Sequence, residues 1–427
     1  MDKHIHYSIR LALAAATLAL PIVWAQGGGH ETFEMRPDAH PADISKLHDP
    51  VTELARRLAS GKEKLAFDAE RGYLPAILKA LDLPLSSQVL VFSKTSLQHK
   101  YINPQTPRAI FFNDNVYAGF VPDGGLMELS SVDPEHGAVF YTIDQLRGSI
   151  PHLVRGEDCL QCHATPATLG VPGHMVRSVF TRPDGNAVLR AGSYLTDHRS
   201  TIEERWGGWY VTGKTENDTH MGNAFLRESE EGMGFNRNAG SNVTELKGRF
   251  HGERYLSQHS DLVALMVLEH QARLHNLIAR LRREALAEPE QLALLTKSQF
   301  KSPLVERAEE LLRYLLFADE VALKGPVSGT STFTHDFMKR GPRDAKGRSL
   351  RDFNLKTRMF RYPCSYLIYS PAFDALPIGV KTYLYRRMRE VFSGADTSKA
   401  FAGLSKADRL TAAEILRSTK AEFATIK

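Results

Sequence analysis

Apolar positions along the chain change their spacing twice, and each change marks a different kind of structure. Two short stretches, "DPVTELARRLAS" and "GYLPAILKALDLP", carry apolar residues at helical spacing, and the second closes at Pro84. From Gln88 the period falls to two. "VLVFSK", "AIFFNDNVYAGFV", "LMELSSVD" and "GAVFYTID" are rich in β-branched and aromatic residues and are divided by Asn, Asp, Pro and Gly clusters, which predicts an antiparallel sheet. "MVRSVFT" and "AVLRAGSYL" flank "RPDGN", where Asp184-Gly185 predicts a hairpin, and "RWGGWYVTG" continues the strand character. Beyond about residue 250 the period returns to that of a helix, with helices predicted over 260–285, 288–297, 303–324, 377–392 and 405–420. Ser405 with Asp408 three positions on resembles a capping box at the last of these. Residues 325–376 are irregular, and no internal repeat is found.

This order predicts an α+β protein: a β-rich domain over 87–250 and a mostly helical domain over 251–427. Residues 26–86 read as a Gly- and Pro-containing lead-in followed by the short helices. Before them, Lys3 and Arg10 precede an uncharged apolar run from Leu11 to Ala25 that ends in Val23-Trp24-Ala25. The run is short for a bilayer span and ends in small residues where a signal peptidase cuts, so residues 1–25 read as a cleaved secretory signal. The mature chain is then expected in the periplasm without a transmembrane segment.

Composition narrows the field. Hydrophobic residues make up 42% and charged residues 24% of the 427 positions, ordinary for a globular protein. A net charge of +5 is mild at this size and spread along the chain, which disfavours nucleic-acid binding. The exception is Lys339 to Arg361, with nine Lys or Arg against two Asp, which reads as a solvated loop or as a docking face for an acidic redox partner protein.

The chemistry lies in "RGEDCLQCHATPATLG". Of three cysteines, Cys159 and Cys162 stand three apart, and His163 follows at once. A structural zinc site wants a second ligand pair, and there is no second C-x-x-C. A thioredoxin-like dithiol wants a βαβ setting, and the neighbours here are strands of a meander. Cys364 stands alone in "RYPCSYLIYS" and reads as a small buried hydrophobe. The C-x-x-C-H pattern accounts for all three residues as one covalently attached haem c, with Cys159 and Cys162 binding the porphyrin and His163 under the iron. At these residues the chain resembles a bacterial c-type cytochrome. The resemblance covers five residues and their surroundings; small cytochromes c carry the motif in an all-helical domain, whereas here it sits among strands, loosely similar to haem-carrying PAS-type sensor domains.

The resemblance implies an exported mono-haem cytochrome in single-electron transfer with a partner protein. The alternatives are a haem-dependent peroxidase or oxidoreductase with an open distal site, or a haem-based gas or redox sensor. The sixth ligand separates them. His220 and Met221, in "NDTHMGN", lie in a polar turn; His174 and Met175, in "VPGHMVRS", lie close to the motif. His270 projects into the middle of an apolar stripe of Val263, Met266, Val267, Leu274, Leu277, Ile278 and Leu281, so it is a hydrogen-bonded core histidine or faces the haem. His275 points away from that stripe, and Glu269 is spaced to pair with Arg273. Arg177 and Arg190 are candidate partners for haem propionates. Trp206, Trp209 and Tyr210 surround two glycines that would admit a flat ring or form a strand with a bulge.

Overall fold

An aspartate before a proline starts the first helix. Asp49 is fully buried, and its carboxylate accepts the backbone N–H groups of Val51 and Thr52, which caps helix α1 (Pro50–Ala59). The same carboxylate accepts the hydroxyls of Thr52, Ser131 and Tyr141 and so ties the helix to the sheet beneath. This is a computed structural model, and it describes residues 46–148, 151–229, 232–295, 297 and 301–426. The secretory signal expected over 1–25 and nearly all of the lead-in lie outside the described residues.

Helix α2 (Leu74–Ala80) ends before Pro84, as predicted. The strands follow in the expected order: β1 (Val89–Val91), β2 (Arg108–Phe112), β3 (Val116–Phe120), β4 (Leu126–Asp133), β5 (Gly137–Asp144) and β6 (Leu153–Arg155). They form a meander, each antiparallel to the next, and β9 (Trp209–Tyr210) returns to the outer side of β1 to complete seven strands. A separate hairpin joins β7 (Arg177–Val179) to β8 (Ser193–Leu195), with Gly185 at φ +86° in its turn. Alternation gives the sheet two apolar faces. Ala109, Phe111, Ala118, Phe120, Met127, Leu129 and Tyr141 pack with α1 and α2 on one. Phe112, Tyr117 and Val132 face the opposite way, toward the helical half.

That half is organised by α4 (Leu262–Ala287), which follows α3 (Leu160–His163) of the C-x-x-C-H string. Asp261 caps α4 through the N–H groups of Val263 and Ala264. Around it lie α5 (Pro289–Leu294), α6 (Pro303–Leu315), α7 (Phe333–Lys339), α8 (Pro371–Asp374), α9 (Ile378–Ser393), α10 (Lys406–Thr419) and α11 (Ala421–Thr425). Ser405 Oγ does accept Asp408 N–H at the start of α10. The helix predicted over 303–324 stops early. Phe317 turns to φ +54°, which ends α6 and stacks the Phe317 ring on His270 at 4.6 Å. A tertiary contact therefore overrides the local helical period. The antiparallel sheet and the helices make the protein α+β, and a single hydrophobic cluster runs from Val89, Phe112 and Trp206 through α4 to α9 and α10. No helix among the described residues is long and apolar enough to cross a membrane.

Candidate functional site around Cys159, Cys162 and His163

A 3₁₀ turn at Glu157–Cys159 runs directly into the single helical turn of α3. Positions three apart on such a turn share a face, so the thiols of Cys159 and Cys162 project from one side. Neither is in a disulfide; Cys162 is exposed and Cys159 half-buried. Burial and the carboxylate of Glu128 push the Cys159 thiol above its ordinary value, while Arg108 pulls it down. Gly156 keeps the approach open, since a Cβ there would lie 3.2 Å from Cys159 Sγ.

The ten-residue return after His163 fixes that ring. Gly173 N–H donates to the His163 carbonyl at 2.9 Å, and His163 Nδ1 lies 2.9 Å from the Gly173 carbonyl oxygen. Thr168 Oγ1, inside this loop, also donates to the His163 carbonyl. A carbonyl only accepts, so Nδ1 carries the proton and the neutral ring presents an unprotonated Nε2. Burial lowers the His163 pKa and keeps the ring neutral, against the raising effect of the Gly173 bond. Nε2 makes no hydrogen bond among the described residues. That is the tautomer and orientation a metal-ligating imidazole needs.

The sheet forms the wall behind it. Phe140 of β5 lies 4.7 Å from the His163 ring and 5.6 Å from that of His174. Arg108 of β2 crosses β3 to pair with Glu128 of β4, and Gly119 makes the crossing possible because a Cβ there would fall 2.5 Å from the guanidinium. His174 is buried, its Nε2 2.6 Å from Ser130 Oγ and its ring 4.2 Å from Tyr117. Asn276 of α4 clamps the His174 backbone, accepting its N–H at 3.0 Å and donating to its carbonyl at 2.7 Å. The long helix thereby holds the loop that holds His163. The residues fit a covalently attached haem: two thiols on one face, an oriented imidazole with a free lone pair, and a wall made by the Phe140 ring beside the Arg108–Glu128 ion pair.

Comparison with protein families, curated proteins and solved structures finds no match for this chain. The site is therefore read from its own geometry.

The other sequence candidates fall in separate places. His220 is buried, accepts Gly222 N–H through Nδ1 at 3.1 Å and packs edge-on against Trp206; burial brings it down to about 4. Met221 is buried with Ser178 in a small core beside Phe180 and Leu226. His270 has both ring nitrogens engaged, Nδ1 with His198 Nδ1 at 2.8 Å and Nε2 with Ser365 Oγ at 2.8 Å, and burial brings it down to about 3. It is a hydrogen-bonded core histidine, and it shares no contact with His163. Met175 is half-exposed, two residues beyond the carbonyl that holds His163. Glu269 pairs across the fold with Arg205 at 3.1 Å rather than along the helix with Arg273, because both Glu269 and Arg205 are buried and must satisfy each other. His275 is buried, with Nε2 2.8 Å from the Asp114 carbonyl oxygen. Trp206, Trp209 and Tyr210 are core residues, and Gly207 and Gly208 admit Val179 O and Ser93 rather than a ligand ring. Arg177 is half-buried, with its carbonyl taking the indole N–H of Trp209, and Arg190 is exposed. Cys364 is fully buried, and burial pushes its thiol up. Much of the basic segment is internally paired, Arg343 with Asp352, Arg348 with Asp344 and Glu414, Lys346 with Glu414 and Arg358 with Asp408.

Gly173 and Asn276 were missed by sequence reasoning, while His174, a sixth-ligand candidate there, is a buried residue of the wall behind His163. No signal in the pattern singled out Asn276, one of several buried polar residues along α4.

Proposed function

We propose that Cys159 and Cys162 bind one haem c covalently, that His163 Nε2 is its axial ligand, and that the chain is an exported, periplasmic mono-haem cytochrome passing single electrons to or from a redox partner protein. The observation that carries this reading is the hydrogen bond from His163 Nδ1 to the Gly173 carbonyl, beside two unpaired thiols on one helical face. A bound haem supplies the one-electron chemistry. The chain's own residues do the rest. The thiols anchor the ring, the Gly173 carbonyl orients the imidazole and raises its basicity, and Phe140 covers the His163 side from water.

A second reading, a haem oxidoreductase or sensor with an open distal position, is favoured by the occupied nitrogens of His270 and the Nδ1 bond of His220. Met175 and the Nδ1 of His174, unpartnered among the described residues, are the sequence candidates that remain for the sixth position. Full-length protein from a host that matures c-type cytochromes should gain the mass of one haem and give a pyridine haemochrome spectrum with both vinyl groups saturated. The Cys159→Ala, Cys162→Ala pair should lose both. A ferrous form indifferent to carbon monoxide, sensitised by Met175→Ala, supports the carrier; carbon monoxide binding by the unaltered protein supports the open site. Colourless protein of bare polypeptide mass ends both.

A further inference from the structure

Two charged side chains stand on the sheet beside the cysteines. Strand pairing sets Ile110, Gly119, Glu128, Thr142 and Val154 opposite one another in one row across β2 to β6. The next row on the same face, two positions along each strand, holds Phe112, Tyr117, Ser130 and Phe140. His174 packs on Tyr117 and Ser130 of that second row, and His163 lies 4.7 Å from Phe140. Arg108, two positions before Ile110, reaches across β3 to Glu128, with Nη2 2.5 Å from a carboxylate oxygen. Only glycine leaves room for this crossing, because a Cβ at Gly119 would lie 2.5 Å from both Nε and Nη2. The two side chains are 23% and 16% exposed, and among the described residues neither has a second ionic partner.

Such a pair is a poor source of stability, since desolvating both charges offsets their attraction, and the glycine it requires weakens a strand interior. Its field does reach the motif. Beyond the raising effect of burial, Glu128 raises the Cys159 thiol and Arg108 lowers it. We infer that the Arg108–Glu128 pair sets the reduction potential of the cysteine site, an inference that rests on the haem reading. Arg108 opposes the extra positive charge of the ferric state over the ferrous and raises the potential. Glu128 favours that charge and lowers the potential. Held together, the two nearly cancel, and loss of either leaves the other acting alone beside the site.

The test is a spectroelectrochemical titration of the full-length, haem-loaded chain at pH 7, with haem content first measured by mass and by pyridine haemochrome. Arg108→Gln should lower the midpoint potential, by about tenfold in the ferric–ferrous equilibrium or about 59 mV for one electron. Glu128→Gln should raise it by a similar amount, and the double variant should return close to the unaltered protein. Arg108→Lys keeps the charge while giving up the guanidinium geometry, and it should stay near the unaltered value, which a merely structural role would not produce. Four results overturn the inference while the haem reading stands: shifts of one sign in both single variants, shifts under about twofold, a double variant displaced as far as either single, or Arg108→Lys moving as far as Arg108→Gln. Unaltered protein without haem overturns both.

Discussion

Replacing Gly173 by alanine tests whether α4 holds the imidazole in place. An alanine Cβ would stand 2.2 Å from Asn276 Oδ1 and 2.7 Å from its Cγ. Asn276 is 1% exposed on a long packed helix and cannot retreat, so the 173–174 backbone must move. Four hydrogen bonds depend on that backbone: the two between Asn276 and His174, the one from Gly173 N–H to the His163 carbonyl, and the one from His163 Nδ1 to the Gly173 carbonyl. At about 1 kcal/mol each, Gly173→Ala should cost about 4 kcal/mol in urea denaturation. Asn276→Ala should itself cost about 2–4 kcal/mol, by leaving the His174 N–H and carbonyl buried without partners. Asn276→Ala also removes the obstacle, so the double variant should be little worse than Asn276→Ala alone, a strong departure from additivity. In the haem-loaded protein, Gly173→Ala should raise the midpoint potential, because an imidazole that loses its Nδ1 acceptor is a weaker donor to ferric iron. Additive losses, or full stability in Gly173→Ala, would refute the clamp.

Other expectations follow from the buried polar groups. Burial raises Glu269 from its ordinary 4.5 to about 7, against the lowering effect of Arg205. The folded state therefore keeps a proton that the unfolded chain releases, and this contribution, complete below 4.5, is lost as pH rises through 7. Over that window, stability of the unaltered protein relative to Glu269→Gln should fall by about 3 kcal/mol, and parallel pH profiles would count against it. Asp49→Ala strips an N-cap and leaves the Tyr141, Thr52 and Ser131 hydroxyls without their acceptor; it should cost about 3–5 kcal/mol, with Asp49→Asn recovering part, as read by chemical denaturation. Ser365→Ala leaves His270 Nε2 buried and unpaired and should cost about 1–3 kcal/mol without altering a haem spectrum; a changed spectrum would connect His270 to the iron.

Local pattern determined a good deal of this protein. The two-residue period from Val89 to Asp144, the Asp184-Gly185 turn, the cap at Ser405 and the C-x-x-C-H string are short-range features, set by neighbours within a few positions, and the strands and helices formed close to where those features place them. What the string could not contain was its surroundings. The Gly173 carbonyl reaches His163 through a loop, Asn276 reaches His174 across 102 positions, and Arg108 reaches Glu128 because Gly119 leaves room between strands. Periodicity put His270 on a buried stripe but could not say that His198 and Ser365, distant in the chain, would take its two nitrogens. Burial forces polar groups to find partners, and which partners are within reach is decided only when the sheet and α4 pack together.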